Sequence, residues 1–147
     1  MKKTLAYEVT IAAPRGVVWD KLTAPDTYRE WTAAFAPGSH YQGSWDQGAE
    51  IRFLAPNGDG MVSEIAENPR HAFIRIRHLG EIANGQVDRT SERVRAWAPA
   101  DETYTFTESP QGTHLRATVE TAADWEEHMN TSFPKALQRL KELCEAA

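Results

Sequence analysis

DWEEHMNTSFPKALQRLKEL, residues 124–143, predicts one long amphipathic helix at the end of the chain. Its core-facing positions recur at steps of three and four, which places them on one helical face. Asp124 and Glu127 match the D-x-x-E variant of a capping box, so we expect the helix to begin there. Pro134 removes one backbone donor inside the helix, and we expect a bend near residues 130–134. The stripe consists of Trp125, Met129, Ser132 or Phe133, Ala136, Leu140 and Leu143.

The chain before this helix is dominated by segments in which apolar and polar side chains alternate, as in antiparallel strands. Turn sequences separate these segments, and Asn57-Gly58-Asp59-Gly60 is the strongest. Val62 and Ile65 are three residues apart, which indicates a bulge or a change of face. Residues 91–97, SERVRAW, fit either a helical turn or a strand. The predicted strands are 5–12, 39–46, 49–55, 61–67, 72–79, 102–109 and 114–120.

Two short helices are predicted directly after the first strand. Pro14 favours the first turn of one, and Pro25 opens the second, which carries Tyr28 and Trp31. The element order is therefore a strand, two short helices, a run of antiparallel strands and a long final helix.

That order resembles the START-like (SRPBCC) superfamily. Four segments are similar to its branch named for the activator of heat-shock-protein-90 ATPase: GSWDQGAEIRFLAPNGDGMVSEIAENP (43–69), HLGE (78–81), TFTE (105–108) and FPKALQRLKEL (133–143). The resemblance implies one α+β domain over residues 1–147 with the helix-grip fold. In that fold a curved antiparallel sheet, here of about six to seven strands, wraps around the C-terminal helix.

The resemblance also implies a hydrophobic cavity between the sheet and the last helix, because superfamily members carry lipids, sterols, hormones or polyketide intermediates there. The branch name comes from a eukaryotic co-chaperone in which this domain is only the C-terminal part. The separate domain that stimulates the ATPase has no counterpart in this sequence, so the name does not predict that activity.

The charge distribution argues against nucleic acid as a partner. The chain has 16 basic and 21 acidic residues, a net charge of -5 and no basic block. No segment approaches the roughly 20 apolar residues that a membrane helix needs. The first residues, MKKTLAYEVTIAAP, lack the apolar core of a signal peptide, so we expect a cytoplasmic protein.

Metal, cofactor and nucleophile sites are not predicted. The five histidines fall in different elements without a metal-binding spacing. The single cysteine, Cys144, lies near the chain end on a helix, where we expect it to be buried and inert. No G-x-S-x-G motif occurs.

His78 is the one candidate for acid–base catalysis. It shares the apolar face of its strand with Ile74 and Ile76, so its side chain is expected to point inward. There it could act as a general base, or it could be a structural histidine bonded to a carboxylate such as Glu81. Glu64 is a second candidate if the bulge turns it inward.

Three functions follow from these observations. The first is non-enzymatic binding of a small hydrophobic or amphipathic molecule beneath the last helix. The second is an interaction module for a chaperone or for self-association, and the third is a cyclase-like enzyme that uses His78. The predicted ligand-contacting residues are Trp45, Phe53, Met61, His78, Tyr104, Phe106, Trp125, Met129 and Phe133.

Overall fold

The computed structural model describes residues 2–147 and contains a curved sheet packed against a long C-terminal helix. Along the chain the elements are β1 (Lys2–Ile11), α1 (Arg15–Thr23), α2 (Pro25–Thr32), β2 (His40–Gly43), β3 (Glu50–Leu54), β4 (Gly60–Glu67), β5 (Phe73–Ala83), β6 (Gln86–Asp88), α3 (Glu92–Arg95), β7 (Ala100–Ser109), β8 (Gly112–Ala122), a 3-10 turn (Ala123–Trp125) and α4 (Glu126–Glu145).

The sheet has the order β1-β8-β7-β5-β4-β3-β2, and β6 pairs with β5 beside this path. Every pairing is antiparallel. This arrangement confirms the predicted helix-grip fold, including the two short helices after β1. The sheet has eight strands rather than six or seven, because β6 is a three-residue strand and too short to show an alternating pattern.

Strand β5 shows how alternation builds the core. Ile74, Ile76 and His78 are buried on its inner face, as predicted. The intervening Arg75 and Arg77 both reach Asp101 of β7, at 2.9 Å and 3.3 Å. These outer ion pairs connect β5 to β7, while Ile74 and Ile76 on the inner face join the main core.

Strand β4 contains the predicted irregularity. Its register with β5 shifts between Val62 and Ser63 and again between Ile65 and Glu67. As a result Val62 packs in a small separate cluster with Leu54, whereas Ile65 joins the main core. The spacing of Val62 and Ile65 therefore did mark a change of face.

Helix α4 packs mainly through its longer C-terminal part, Ser132–Glu145, which is called its second half here, and Glu126–Thr131 are called its first half. The Phe133 ring stacks on Tyr7 of β1 with ring centroids 4.7 Å apart. Pro134 lies inside the helix, which continues through it to Glu145. The buried residues of this helix are Ser132, Phe133, Ala136, Leu137, Leu140 and Cys144.

The predicted capping box is wrong. A 3-10 turn occupies Ala123–Trp125, so α4 begins at Glu126 and no side chain caps it. Glu126 instead forms an ion pair with Lys3 at 2.8 Å, and its charge suits the positive end of the helix dipole.

The sequence left two conformations open for residues 91–97, and the structure has the helical turn there. The short helix α3 begins after Ser91, whose hydroxyl accepts a hydrogen bond from the backbone N–H of Val94. This is ordinary N-capping by serine.

Candidate functional site

The candidate site is a cleft between the sheet and the first half of α4. It consists of two adjoining cavities of about 340 and 350 Å³. Helix α2 and the loop after it close one side, and Met129 of α4 lies on the other. The residues that line both cavities are Gly60, Met61, His78, Glu102, Val119, Trp125 and Met129.

The first cavity, here called the aromatic compartment, is walled by rings from α2, the loop after it, β3, β7 and α4. Tyr28 of α2 lines it, and the centroid of its ring lies 6.2 Å from that of Trp45 and 6.0 Å from that of Phe53. Helix α2 follows directly on α1, so no long loop is needed to place its large side chains against the sheet. The Phe, Tyr and Trp rings of this compartment are Tyr28, Trp31, Phe35, Trp45, Phe53, Tyr104, Trp125 and Phe133.

The second cavity, here called the polar compartment, adds two carboxylates. Glu81 pairs with Arg93 and accepts a hydrogen bond from the Trp97 indole at 3.2 Å. Glu120 accepts a bond from the backbone N–H of Asp101 at 2.7 Å. Both carboxylates therefore have donors within the protein.

A connected polar network lies where the two compartments meet. The imidazole of His78 contacts the Ser63 hydroxyl through Nδ1 at 2.7 Å and the Glu102 carboxylate through Nε2 at 2.9 Å. The other oxygen of Glu102 accepts a hydrogen bond from the Tyr104 phenol. A neutral imidazole protonated on Nε2 satisfies every contact, because Ser63 then donates to Nδ1 and His78 donates to Glu102.

Burial fixes the direction of the tyrosine bond. The pKa of Tyr104 is raised well above its ordinary value, mainly by burial and further by the charge and hydrogen bond of Glu102. Burial likewise raises the pKa of Tyr28, with a smaller contribution from the Glu102 charge. Both phenols therefore stay protonated, and Tyr104 is the donor to the Glu102 carboxylate.

The network contains the residue types of a serine–histidine–acid triad, but its serine is fully buried. Ser63 has no exposed surface and lines neither cavity, so a substrate cannot reach its hydroxyl. The ring nitrogens of His78 contact Glu102 and this same buried Ser63 hydroxyl, so the acceptor nitrogen faces a protein group rather than the open space of the cleft. Glu102 faces both cavities with 19% of its side chain exposed, and it is the network member best placed to meet a ligand.

The structure brings eight of the nine predicted site residues to the cleft. Phe106 is the exception, because it is buried in the main core and lines neither cavity. Trp125 lies in the 3-10 turn rather than in the helix, and 55% of its surface is exposed. The eight are Trp45, Phe53, Met61, His78, Tyr104, Trp125, Met129 and Phe133.

The carboxylates proposed from the sequence have other roles. Glu81 is not the partner of His78, since it pairs with Arg93. Glu64 does not turn inward, since it lies 3.5 Å from Arg77, whose side chain is 39% exposed on the outer face. The observed partner, Glu102, was missed although it is two residues before Tyr104 and therefore shares its face.

Other reactive groups lie away from the cleft. Within residues 2–147, no cluster of three histidine, cysteine, aspartate or glutamate side chains is arranged to hold a metal ion. Cys144 is buried, and burial raises the pKa of its thiol to about 12. In the same described range, no helix is long and apolar enough to cross a membrane.

Comparison with known proteins adds a family match. A family model described as Activator of Hsp90 ATPase homolog 1-like protein matches residues 12–145. No functionally curated protein matches the sequence.

Solved structures share the fold at low sequence identity. Protein MLL2253 from Mesorhizobium loti has a TM-score of 0.74 and 18% identity, over 99% of this chain and 98% of that one. The Aha1 dimer from Colwellia psychrerythraea has a TM-score of 0.73 and 17% identity, over 97% and 96%. The AHSA1-like protein from Aeromonas hydrophila has a TM-score of 0.65 and 14% identity, over 98% and 93%. These similarities show the fold alone.

Proposed function

We propose that residues 1–147 form one START-like domain that binds a small hydrophobic or amphipathic molecule without catalysis. The chain belongs to the Activator of Hsp90 ATPase homolog 1-like family. We also propose that the protein is located in the cytoplasm. The observation that carries this proposal is the cleft beneath the first half of α4, with aromatic walls and one polar network.

The dimensions of the cleft suit a small ligand. Each cavity is about 340–350 Å³, within the range of roughly 300–1,000 Å³ typical of small-molecule pockets. Such pockets combine mostly apolar walls with a few polar groups that orient the ligand. The aromatic compartment and Glu102 supply these two components.

The geometry favours binding over the two alternatives. Ser63 and His78 are both buried and contact each other, so neither directs a reactive atom into the open space of the cleft as a cyclase-like reaction would need. Within residues 2–147, the large hydrophobic residues that are mainly exposed are Val87, at 43%, and Trp125, at 55%, and Trp125 belongs to the cleft. Apolar surface for a protein partner is therefore small, whereas the internal cleft is large.

A blocking variant tests the proposal. Met129→Trp adds bulk at a position that lines both cavities, so it is expected to weaken binding of naphthylmethanol at least about tenfold in isothermal titration calorimetry. Gln138→Trp is the matched control, because Gln138 is exposed on the second half of α4 and lines neither cavity. Solvent extraction of the purified protein with mass spectrometry searches for the natural ligand.

Equal affinity of the wild-type protein and Met129→Trp would place the ligand elsewhere, and absence of binding to wild-type protein would contradict the proposal. The thermal unfolding of both variants is measured first, so that a loss of affinity is not confused with a loss of folding.

A further inference from the structure

We infer that the cleft selects ligands in which an apolar, ring-containing body ends in a protonated amine, and that Glu102 receives this amine. The inference deepens the proposed function and rests on it. It is carried by the charge lining the cleft, by the hydrogen-bonding capacity of Glu102 and by the adjacent aromatic rings.

Apart from the ionisable imidazoles of His40, His78 and His128, the charged groups that line the cleft are carboxylates. Neither cavity is lined by a lysine or an arginine among residues 2–147. The carboxylates that line the cleft are Asp59, Glu81, Glu102 and Glu120. A carboxylate ligand would meet like charge here without a cation to bind, whereas an ammonium group would meet opposite charge.

Three of these carboxylates are already occupied by donors of the protein. Asp59 accepts a hydrogen bond from the backbone N–H of Asn84 at 3.1 Å. Glu81 pairs with Arg93, and Glu120 accepts the backbone N–H of Asp101. These contacts fix the three carboxylates to neighbouring loops and strands.

Glu102 differs from the other three because it is the carboxylate that lines both cavities, beside the aromatic compartment. One oxygen meets the imidazole of His78 and the other meets the phenol of Tyr104. A carboxylate can accept about four hydrogen bonds, so each oxygen retains a free lone-pair site. Since Glu102 lines both cavities, these sites are available to a donor that enters the cleft.

The network behind Glu102 holds the carboxylate in place for such a donor. Ser63 positions His78, and His78 and Tyr104 each bind one oxygen, so the carboxylate loses little freedom when a ligand arrives. A preorganised acceptor in a partly buried site forms stronger charge-assisted bonds than a mobile surface carboxylate.

The aromatic compartment suits the remainder of such a ligand. Tyr104, whose phenol donates a hydrogen bond to Glu102, lines this compartment together with Trp31, Trp45 and Phe53. Ring faces attract an ammonium group by cation–π interaction, and they also pack against an apolar body. A two-ring body attached to an aminomethyl group therefore matches both parts of the cleft.

Three matched probes test the inference by calorimetry at neutral pH: naphthylmethylamine, naphthylmethanol and naphthoate. They share one ring system and differ in the charge of the polar group. We expect the amine to bind wild-type protein at least about tenfold more tightly than the alcohol, and the carboxylate to bind most weakly. Naphthoate binding as tightly as the amine, or equal affinity for amine and alcohol, would overturn the inference while leaving the proposed function intact.

Variants then assign the preference to one carboxylate. Glu102→Gln is expected to reduce amine affinity at least about tenfold and alcohol affinity by less, so that the preference for amine over alcohol is lost. Glu120→Gln is the control, because Glu120 lines the polar compartment but not the aromatic compartment that holds the ring body, and it should change amine affinity less than about threefold. Unchanged amine affinity in folded Glu102→Gln would overturn the assignment.

The wild-type probe ranking decides the selectivity even if Glu102→Gln fails to fold. Glu102→Asp, which keeps the charge, is expected to retain the preference for amine over alcohol. Failure of all three probes to bind wild-type protein would contradict the proposed function and this inference together.

Discussion

The two halves of α4 meet the rest of the protein in different ways. From Ser132 onward the helix buries side chains on every turn, among them Ala136 and Leu140 with no exposed surface. From Glu126 to Thr131 it buries none, and Met129 is only partly buried where it lines the cleft. One continuous amphipathic stripe thus divides into a packed half and a half that leaves space.

The difference separates stability from binding. The packed half joins α1, α2 and β1 in the main core, and its close contacts should account for most of the stability that α4 provides. The open half is held by surface contacts, such as the Tyr7 hydroxyl donating to Asn130 at 2.6 Å. Exposed contacts of this kind contribute little to the free energy of unfolding, so this half should stabilise the fold less than the packed half does.

Thiol reactivity should distinguish the halves most strongly. Cys144 lies in the packed half, and burial raises the pKa of its thiol from 9.0 to about 12. A raised pKa keeps the thiol protonated, so at pH 8 the thiolate fraction falls roughly a thousandfold relative to the unfolded chain. We expect iodoacetamide to modify the folded protein at least about a hundredfold more slowly than protein unfolded in urea, followed by mass spectrometry.

The matched control is Met129→Cys in a Cys144→Ala background. That thiol lies in the open half and is expected to react within about tenfold of the unfolded rate. Rapid modification of Cys144 in the folded protein would show that the second half is not closely packed.

Truncation of one buried leucine should give the next largest effect. Leu140→Ala removes a side chain with no exposed surface and is expected to lower the free energy of unfolding by about 2–5 kcal/mol in urea denaturation. Met129→Ala, in the open half, should lower it by less than about 1 kcal/mol, because no close-packed cavity is created. Equal losses at the two positions would remove the distinction between the halves.

The sequence predicts the fold well because its signals are local and repeated. Alternation in β5 assigned Ile74, Ile76 and His78 to the inner face, and the spacing of Val62 and Ile65 indicated the change of face in β4. The helical repeat of residues 124–143 identified α4. In each case the side-chain pattern follows directly from the geometry of the element.

The candidate site is less accessible to such arguments because it depends on pairing between strands. Ser63 and His78 meet across the β4–β5 register, and Glu102 reaches His78 from β7. Alternation alone could have placed Glu102 on the inner face of its strand, because it lies two residues before Tyr104. It could not show which carboxylate meets the histidine, because that depends on strand order and on the bulge in β4.

Local chemistry also misplaced the start of α4. Asp124 and Glu127 match a capping box, but the 3-10 turn at Ala123–Trp125 shifts the first helical residue to Glu126. The shift leaves Trp125 at the exposed edge of the cleft, where it lines both cavities. Helix ends are set by the tertiary path of the chain as well as by local sequence.

Amide chemical-shift mapping with naphthylmethanol tests most directly whether the space under the open half binds a small molecule. We expect the shifted amides to cluster at Met61, His78, Glu102 and Met129, while those of residues 136–144 change little. Shifts confined to residues 136–144, or no shifts at saturating probe, would contradict it.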